Sequence, residues 1–317
     1  MAKKEPARKF EAAYLDIYRR GLLQEKIERA FCQLETCTLC PRSCRVNRLR
    51  GEKGVCKAGL DPEVSSYSPH FGEESPLVGP HGSGTIFLSH CNLRCSFCQN
   101  YSISHLGEGA TISAKRLAGM MVELQKLGCH NINFVSPSHY VPQILKALPA
   151  AIEAGLSVPL VYNTGGYDAL ETLKLLDGVV DIYMPDFKFS ASEAAEELCH
   201  APDYPGAAKT AIKEMQRQVG DLVIDDRGIA LHGLLVRHLV LPGGLAGTED
   251  VMRFLAEEIS RNTYLNIMDQ YHPSGDIQWS SLLSRRITAG EFQNAVDAAQ
   301  REGLTRLDPR ERFRIIF

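Results

Sequence analysis

The chain has 317 residues, 44% hydrophobic and 23% charged, the balance of an ordinary globular protein built as one large domain or one with a smaller attachment. A net charge of −3 gives no global attraction to nucleic acid or to anionic membranes, so neither is expected as a partner. No apolar run approaches the ~20 residues of a membrane span, and nothing after the N-terminus resembles a secretory signal, so a cytoplasmic location is expected. In chain order, residues 1–34 read as helical, with Phe10, Tyr14, Tyr18, Leu22 and Ile27 recurring near helical spacing. Residues 35–83 are rich in cysteine, glycine and proline with little periodicity, which reads as a small metal- or loop-supported module. The expected division is therefore 1–83 for the N-terminal helix and Cys-rich module, and 84–317 for the main body.

From residue 84 strand and helix alternate. Strands are expected at 84–90, 131–135, 158–163, 179–184, 232–241 and 264–269. Helices are expected at 113–127, 139–154, 168–176, 191–200, 206–219, 248–261 and 288–302. Ser113 suits the N-cap of the first of these, Leu117, Met121 and Leu124 its inward face, and Gly128 and Gly155 fall where helices should stop. Six βα repeats with short connections imply a parallel sheet curled into part of a barrel. The roughly 235 residues available fall short of the ~250 of a full eightfold barrel, so the fold class expected is α/β, an incomplete (β/α)6 TIM-like barrel. In such barrels chemistry sits at the C-terminal ends of the strands.

The first strand runs directly into Cys91-Asn92-Leu93-Arg94-Cys95-Ser96-Phe97-Cys98, a C-x3-C-x2-C triplet. The chain has ten cysteines, and without an export signal such clusters mean metal or catalysis rather than disulfides. Three thiolates on one short loop converge on one centre, and thiolate is the ligand that iron–sulfur clusters and zinc select. The spacing lacks the paired C-x2-C halves usual in structural zinc sites. A four-iron cluster held by three cysteines keeps one iron open, which is what separates a reactive site from a closed structural one.

The remaining strands also end in polar groups. They run into Ser136-Pro137-Ser138-His139, into Asn163-Thr164-Gly165-Gly166-Tyr167, into Pro185-Asp186-Phe187-Lys188, and into Asp269-Gln270-Tyr271-His272. The fifth carries Arg237 and His238 and ends in Pro242-Gly243-Gly244. Asp186 and Lys188, two apart, project to the same side of an extended segment, either as ligand-binding groups or as a surface ion pair. The paired glycines let backbone approach a ligand closely.

The triplet, with an aromatic before its last cysteine, resembles the radical S-adenosylmethionine (SAM) superfamily. Several stretches resemble its pyruvate formate-lyase activating enzyme branch, and most of all the PflX-type homologues. They are Phe71–Glu74, Gly82–Phe87, Cys91–Tyr101, Tyr140–Ile144, Tyr162–Asp168, Asp181–Lys188, Arg237–Gly243 and Tyr271-His272, spread over residues 35–275. The resemblance implies a [4Fe–4S] cluster on Cys91, Cys95 and Cys98, with S-adenosyl-L-methionine on the open iron. One-electron reduction then cleaves SAM to methionine and a 5′-deoxyadenosyl radical, which abstracts a hydrogen atom. It further implies a SAM pocket of Asp186, Lys188, Arg237 and His272, with Asn163, Thr164 and Ser136 beside them. A one-electron donor such as flavodoxin or ferredoxin is implied too, and so is a protein substrate offering a glycyl residue. Two departures stand out: His90 replaces the usual small residue before the triplet, and Ser136–His139 replaces the segment that meets the SAM amino group.

A second constellation precedes the triplet: Cys37, Cys40, Cys44 and Cys56, C-x2-C-x3-C and a lone cysteine after a glycine turn. Four soft ligands can close a tetrahedral site, either zinc or a second iron–sulfur cluster; reduced thiols in a small core are the alternative. Nearby, Arg42, Arg45, Arg48, Arg50 and Lys53 read as a solvated or structural surface rather than a nucleic-acid site. Cys32, Cys129 and Cys199 are isolated and read as core or surface residues. The rival to an enzyme is a non-catalytic iron–sulfur or zinc binding electron carrier or adaptor, which would have no need of the polar strand ends.

Overall fold

A computed structural model describes residues 10–277 and 282–309. Its centre is one open sheet. The strands are β1 (Glu63–His70), β2 (Ser83–Leu88), β3 (Ala110–Thr111), β4 (Ile132–Val135), β5 (Leu160–Thr164), β6 (Ile182–Pro185), β7 (Val223–Ile224), β8 (Ala230–Leu239) and β9 (Tyr264–Met268). β2, β4, β5, β6, β8 and β9 pair in that order, all parallel, and they are the six strands read from the sequence. Among the described residues no pairing joins β9 back to β2, so the sheet does not close.

The parallel strands are buried on both faces, as their unbroken apolar runs require. The connecting helices are α5 (Ala114–Lys126), α6 (Val141–Glu153), α7 (Leu170–Leu176), α8 (Ser192–Cys199), α9 (Tyr204–Val219) and α10 (Thr248–Phe254), with α11 (Ala289–Arg301) after the last strand. Helix α5 begins as expected: the Ser113 hydroxyl accepts from the Arg116 N–H at 3.1 Å, and Leu117, Met121 and Leu124 are fully buried. Gly128 and Gly155 adopt positive φ just past α5 and α6. A single π-turn, Leu255–Ile259, completes the α10 segment.

The N-terminal third departs from expectation in two places. The stretch expected to be one helix over residues 1–34 is two within its described part, α1 (Ala13–Arg19) and α2 (Leu22–Cys32), broken at Gly21 with φ 72°. Residues 63–70, expected inside a loop-rich module, form β1, which pairs antiparallel with β2 and with β3 at the sheet edge. Its burial alternates only weakly and it carries three serines and a proline, which hides a strand from an apolar-pattern reading. Helices α1 and α2 share the central core, contributing Tyr14 and Leu23, and α2 packs on α6 and α7. The two short helices α3 (Ser75–Val78) and α4 (Tyr101–Ser104) flank β2 and the cysteine triplet.

Candidate active site

The triplet occupies the loop between β2 and α4, and its backbone is shaped by specific contacts. His90 and Arg94 take positive φ, 72° and 54°. Gly107 lies against the His90 ring so closely that a Cβ there would come within 2.4 Å of it. His90 does not remain a loose addition to the loop: its Nε2 lies 3.1 Å from Glu63 on β1, and its own N–H donates to the Ile103 carbonyl. Arg42 reaches across from the N-terminal segment and donates to the carbonyls of Asn92 and Leu93, each at 3.0 Å. Asn92 in turn donates to the Tyr167 carbonyl at 2.6 Å.

Donors already face the sulfurs. The Leu93 N–H points to Cys91 Sγ at 3.4 Å and the Ser104 hydroxyl to Cys98 Sγ at 3.2 Å. Burial raises the Cys91 thiol to about 12 and raises Cys98 as well. Cys95 is raised by a hydrogen bond with Cys199 and by burial, so Cys199 is not the isolated residue its sequence position suggests. Thiols held up in this way ligate as thiolates only where a metal's positive charge offsets the burial.

The three cysteines open onto a cavity of about 240 Å³. The same cavity is lined by Ser136 after β4, Asn163 and Thr164 from β5, Asp186 and Lys188 after β6, and Arg237 from β8. Asp186 binds both cations, Arg237 Nε at 2.7 Å and Lys188 Nζ at 2.6 Å. This is a buried network, not the surface ion pair that the i, i+2 spacing also allowed. Burial works to raise the Asp186 carboxyl, but Arg237 and Lys188 outweigh it and leave it below its ordinary value. Lys188 is raised against burial by Asp186 and Cys95. Arg237 also donates to Asn163 Oδ1 at 2.7 Å.

Thr164 faces the cavity but its hydroxyl donates to Asp168 at 2.6 Å, which engages it within the protein. Gly166 meets a packing need: with φ 77°, a Cβ there would stand 2.3 Å from the Asp186 carbonyl oxygen. His272 is not among the cavity residues; its Nδ1 lies 2.7 Å from Ser274 Oγ. The segment that carries it packs over the cysteine loop instead, with the Asp276 N–H donating to the Ser96 carbonyl and Gly275 against Ser96 and Cys98. Gln270, from the same strand-end run, faces the cavity in its place.

Sequence reasoning did not assign Glu73 and Glu74, although both lie in a stretch that carries the resemblance. Both side chains are almost fully buried, 3.9 and 3.7 Å from Arg237, and Asn266 donates to Glu74 at 2.9 Å. Burial and then the Glu74 charge raise Glu73 to about 7. The signal was two adjacent acids before an apolar strand; only the fold brings them to Arg237.

The cavity is large for one ion and is lined by both thiols and paired charges, which fits a cluster with a polar organic ligand beside it. Among the described residues no three His, Cys, Asp or Glu side chains stand so as to hold a single metal ion. No helix among them is long and apolar enough to cross a membrane.

Compared with known proteins, the chain is 32% identical over 304 residues to the uncharacterized protein MJ0674 of Methanocaldococcus jannaschii, covering 93% of this chain and 83% of that one. It is 24% identical over 262 residues to the uncharacterized protein MJ0808 of the same organism, covering 75% and 70%. No protein-family model matches. Among solved structures, the chain is similar to a radical SAM methyltransferase from Sphaerobacter thermophilus (TM-score 0.47, 13% identity, 69% of this chain and 64% of that one). It is also similar to HydG, a maturase of the [FeFe]-hydrogenase (TM-score 0.49, 14% identity, 70% and 49%). The chain thus spans under two thirds of the length of either solved structure.

Proposed function

We propose a function for a chain that belongs to the family of the uncharacterized protein MJ0674: it is a radical S-adenosylmethionine enzyme whose core is an incomplete (β/α)6 barrel. One observation carries this reading. Three cysteines and six polar residues, from the ends of five successive parallel strands, line a single cavity.

In this reading Cys91, Cys95 and Cys98 hold a [4Fe–4S] cluster, and the polar wall holds SAM. Bound there, the pair supplies reductive cleavage of SAM and a carbon radical that takes a hydrogen atom from substrate. The chain's own contribution is placement. Lys188 and Arg237 offer positive charge to a carboxylate, and Asp186 fixes the direction of both. Asn163 holds the other arm of Arg237. Leu93, Phe97, Leu239 and Met268 line the same space with apolar surface, which limits water beside a reactive centre.

The finer assignment, a PflX-type relative of the pyruvate formate-lyase activating enzymes, rests on the sequence resemblance. It carries with it a glycyl residue of a partner protein as hydrogen donor, and flavodoxin or ferredoxin as electron source. A non-catalytic electron carrier would leave the buried Asp186, Lys188 and Arg237 without a task.

The test is the electron paramagnetic resonance spectrum of the anaerobically reconstituted, reduced protein. A four-iron signal that shifts when SAM is added, and that Cys95→Ala abolishes, is expected. A signal that SAM leaves unchanged would contradict the pocket assignment.

A further inference from the structure

The N-terminal cysteines form a second site. Cys37, Cys40, Cys44 and Cys56 all line one small cavity beneath the triplet loop, together with Arg42, Arg48 and His139. Cys37, Cys40 and Cys56 are buried and Cys44 is half-buried. The fit around Cys44 is close: a Cβ on Gly54 would stand 2.8 Å from its sulfur. Two features mark the site as incomplete with protein atoms alone.

The first is charge. Arg48 is 1% exposed, yet its guanidinium donates only to the carbonyls of Gly59 and His139. Arg42 donates only to the carbonyls of Asn92, Leu93, Cys199 and His200. Neither has a carboxylate partner among the described residues; leaving a cation unpaired is costly at fully buried Arg48 and less so at half-buried Arg42. The second is an orphaned acceptor. His139 Nε2 faces the Ser89 carbonyl at 2.9 Å and so carries the proton; the Nδ1 lone pair is buried with no partner.

We propose that Cys37, Cys40, Cys44 and Cys56 bind one zinc ion. Four thiolates and Zn²⁺ carry a net charge of −2, which answers the two unpaired arginines. A cubane cluster on four thiolates would answer them equally, so size decides. The cavity measures about 10 Å³, room for a single ion-sized body, against about 240 Å³ beside the triplet. Because no three donors already stand so as to hold an ion, binding draws the cysteine side chains inward. Half-buried Cys44 has the most freedom to do so.

The site also has a mechanical consequence. Arg42 lies between Cys40 and Cys44, and it holds the Asn92 and Leu93 carbonyls inside the triplet. An ion that fixes Cys40 and Cys44 therefore fixes the loop bearing Cys91 and Cys95. The zinc site is structural and positions the triplet from below.

Metal analysis of the anaerobically purified full chain, grown with zinc and iron, tests this. About one tightly held zinc per chain is expected, kept in Cys95→Ala, which loses iron, and lost in Cys40→Ser and Cys56→Ser. Where the serine variants do not accumulate, Co²⁺ exchange into the unmutated chain replaces them. A sulfur-to-cobalt charge-transfer band with the visible absorption of tetrahedral cobalt is then expected. Iron in place of zinc at these cysteines, or no metal and four freely titrating thiols, would overturn the proposal. Because the Cys95→Ala arm is separate, failure here is distinguishable from failure of the SAM assignment.

Discussion

Asp186 is the residue on which the polar wall turns, because one buried carboxylate holds two cations in place. Removing one partner of a buried pair typically costs roughly 3–5 kcal/mol, since the other charge is left unpaired. Asp186→Asn is therefore expected to lower thermal stability and to weaken SAM binding at least tenfold by calorimetry, while iron content stays unchanged. Unaltered affinity would remove Asp186 from the pocket. The i, i+2 spacing of Asp186 and Lys188 made this pair legible, because the backbone stays extended just past β6, where Asp186 bridges Arg237. His272 lies outside the cavity lining: it follows the end of β9, and the chain there turns to pack on the cysteine loop. Glu73 and Glu74 were unreadable because their meaning depends on Arg237, far away in sequence.

At the scale of elements, the strand ends are tuned by their neighbours. The turn after β5 runs so close to that after β6 that Gly166 has no room for a side chain. Gly166→Ala is expected to push the Asp186 backbone aside, lowering both stability and SAM affinity; a variant with wild-type affinity would show that this approach does not position Asp186. At the opposite end of the sheet, Asp181 accepts from the N–H groups of Ala13 and Leu160, docking α1 under β5. Burial raises its carboxyl from 3.8 to about 7. A carboxyl raised in the folded state contributes its stability fully below the ordinary carboxylate range and loses it as pH rises through about 7. The melting-temperature gap between wild type and Asp181→Asn should therefore shrink as pH rises between those limits. A gap independent of pH would contradict the burial argument.

Long apolar runs bounded by glycine made the six parallel strands and seven main helices readable, often within two residues of their ends. Elements with mixed character were not: β1, with its serines and proline, pairs antiparallel with β2, is flanked on its other side only by the two-residue β3 and needs little burial. The break at Gly21 was likewise hidden, because helical spacing continues on both sides of it.

At the scale of the whole molecule, the parallel order of the sheet brings six polar residues and three cysteines to one end of the strands. That much follows from topology: a right-handed βα repeat delivers every strand end to the same side. The N-terminal segment then closes the molecule from below, through Arg42 on the triplet loop and Arg48 against His139. The basic run that reads as a surface patch in sequence is structural at these two positions, fully buried at Arg48 and half-buried at Arg42. Cavity size divides the two cysteine groups, a division that spacing alone left open.

The central claim, that this cavity cleaves SAM by one-electron reduction, is tested most directly by chromatography of 5′-deoxyadenosine. The protein is reconstituted anaerobically and incubated with dithionite and SAM. Product that appears with the wild type and disappears in Cys91→Ala, Cys95→Ala and Cys98→Ala is the expected result. An intact, reducible cluster that yields no 5′-deoxyadenosine would contradict the account.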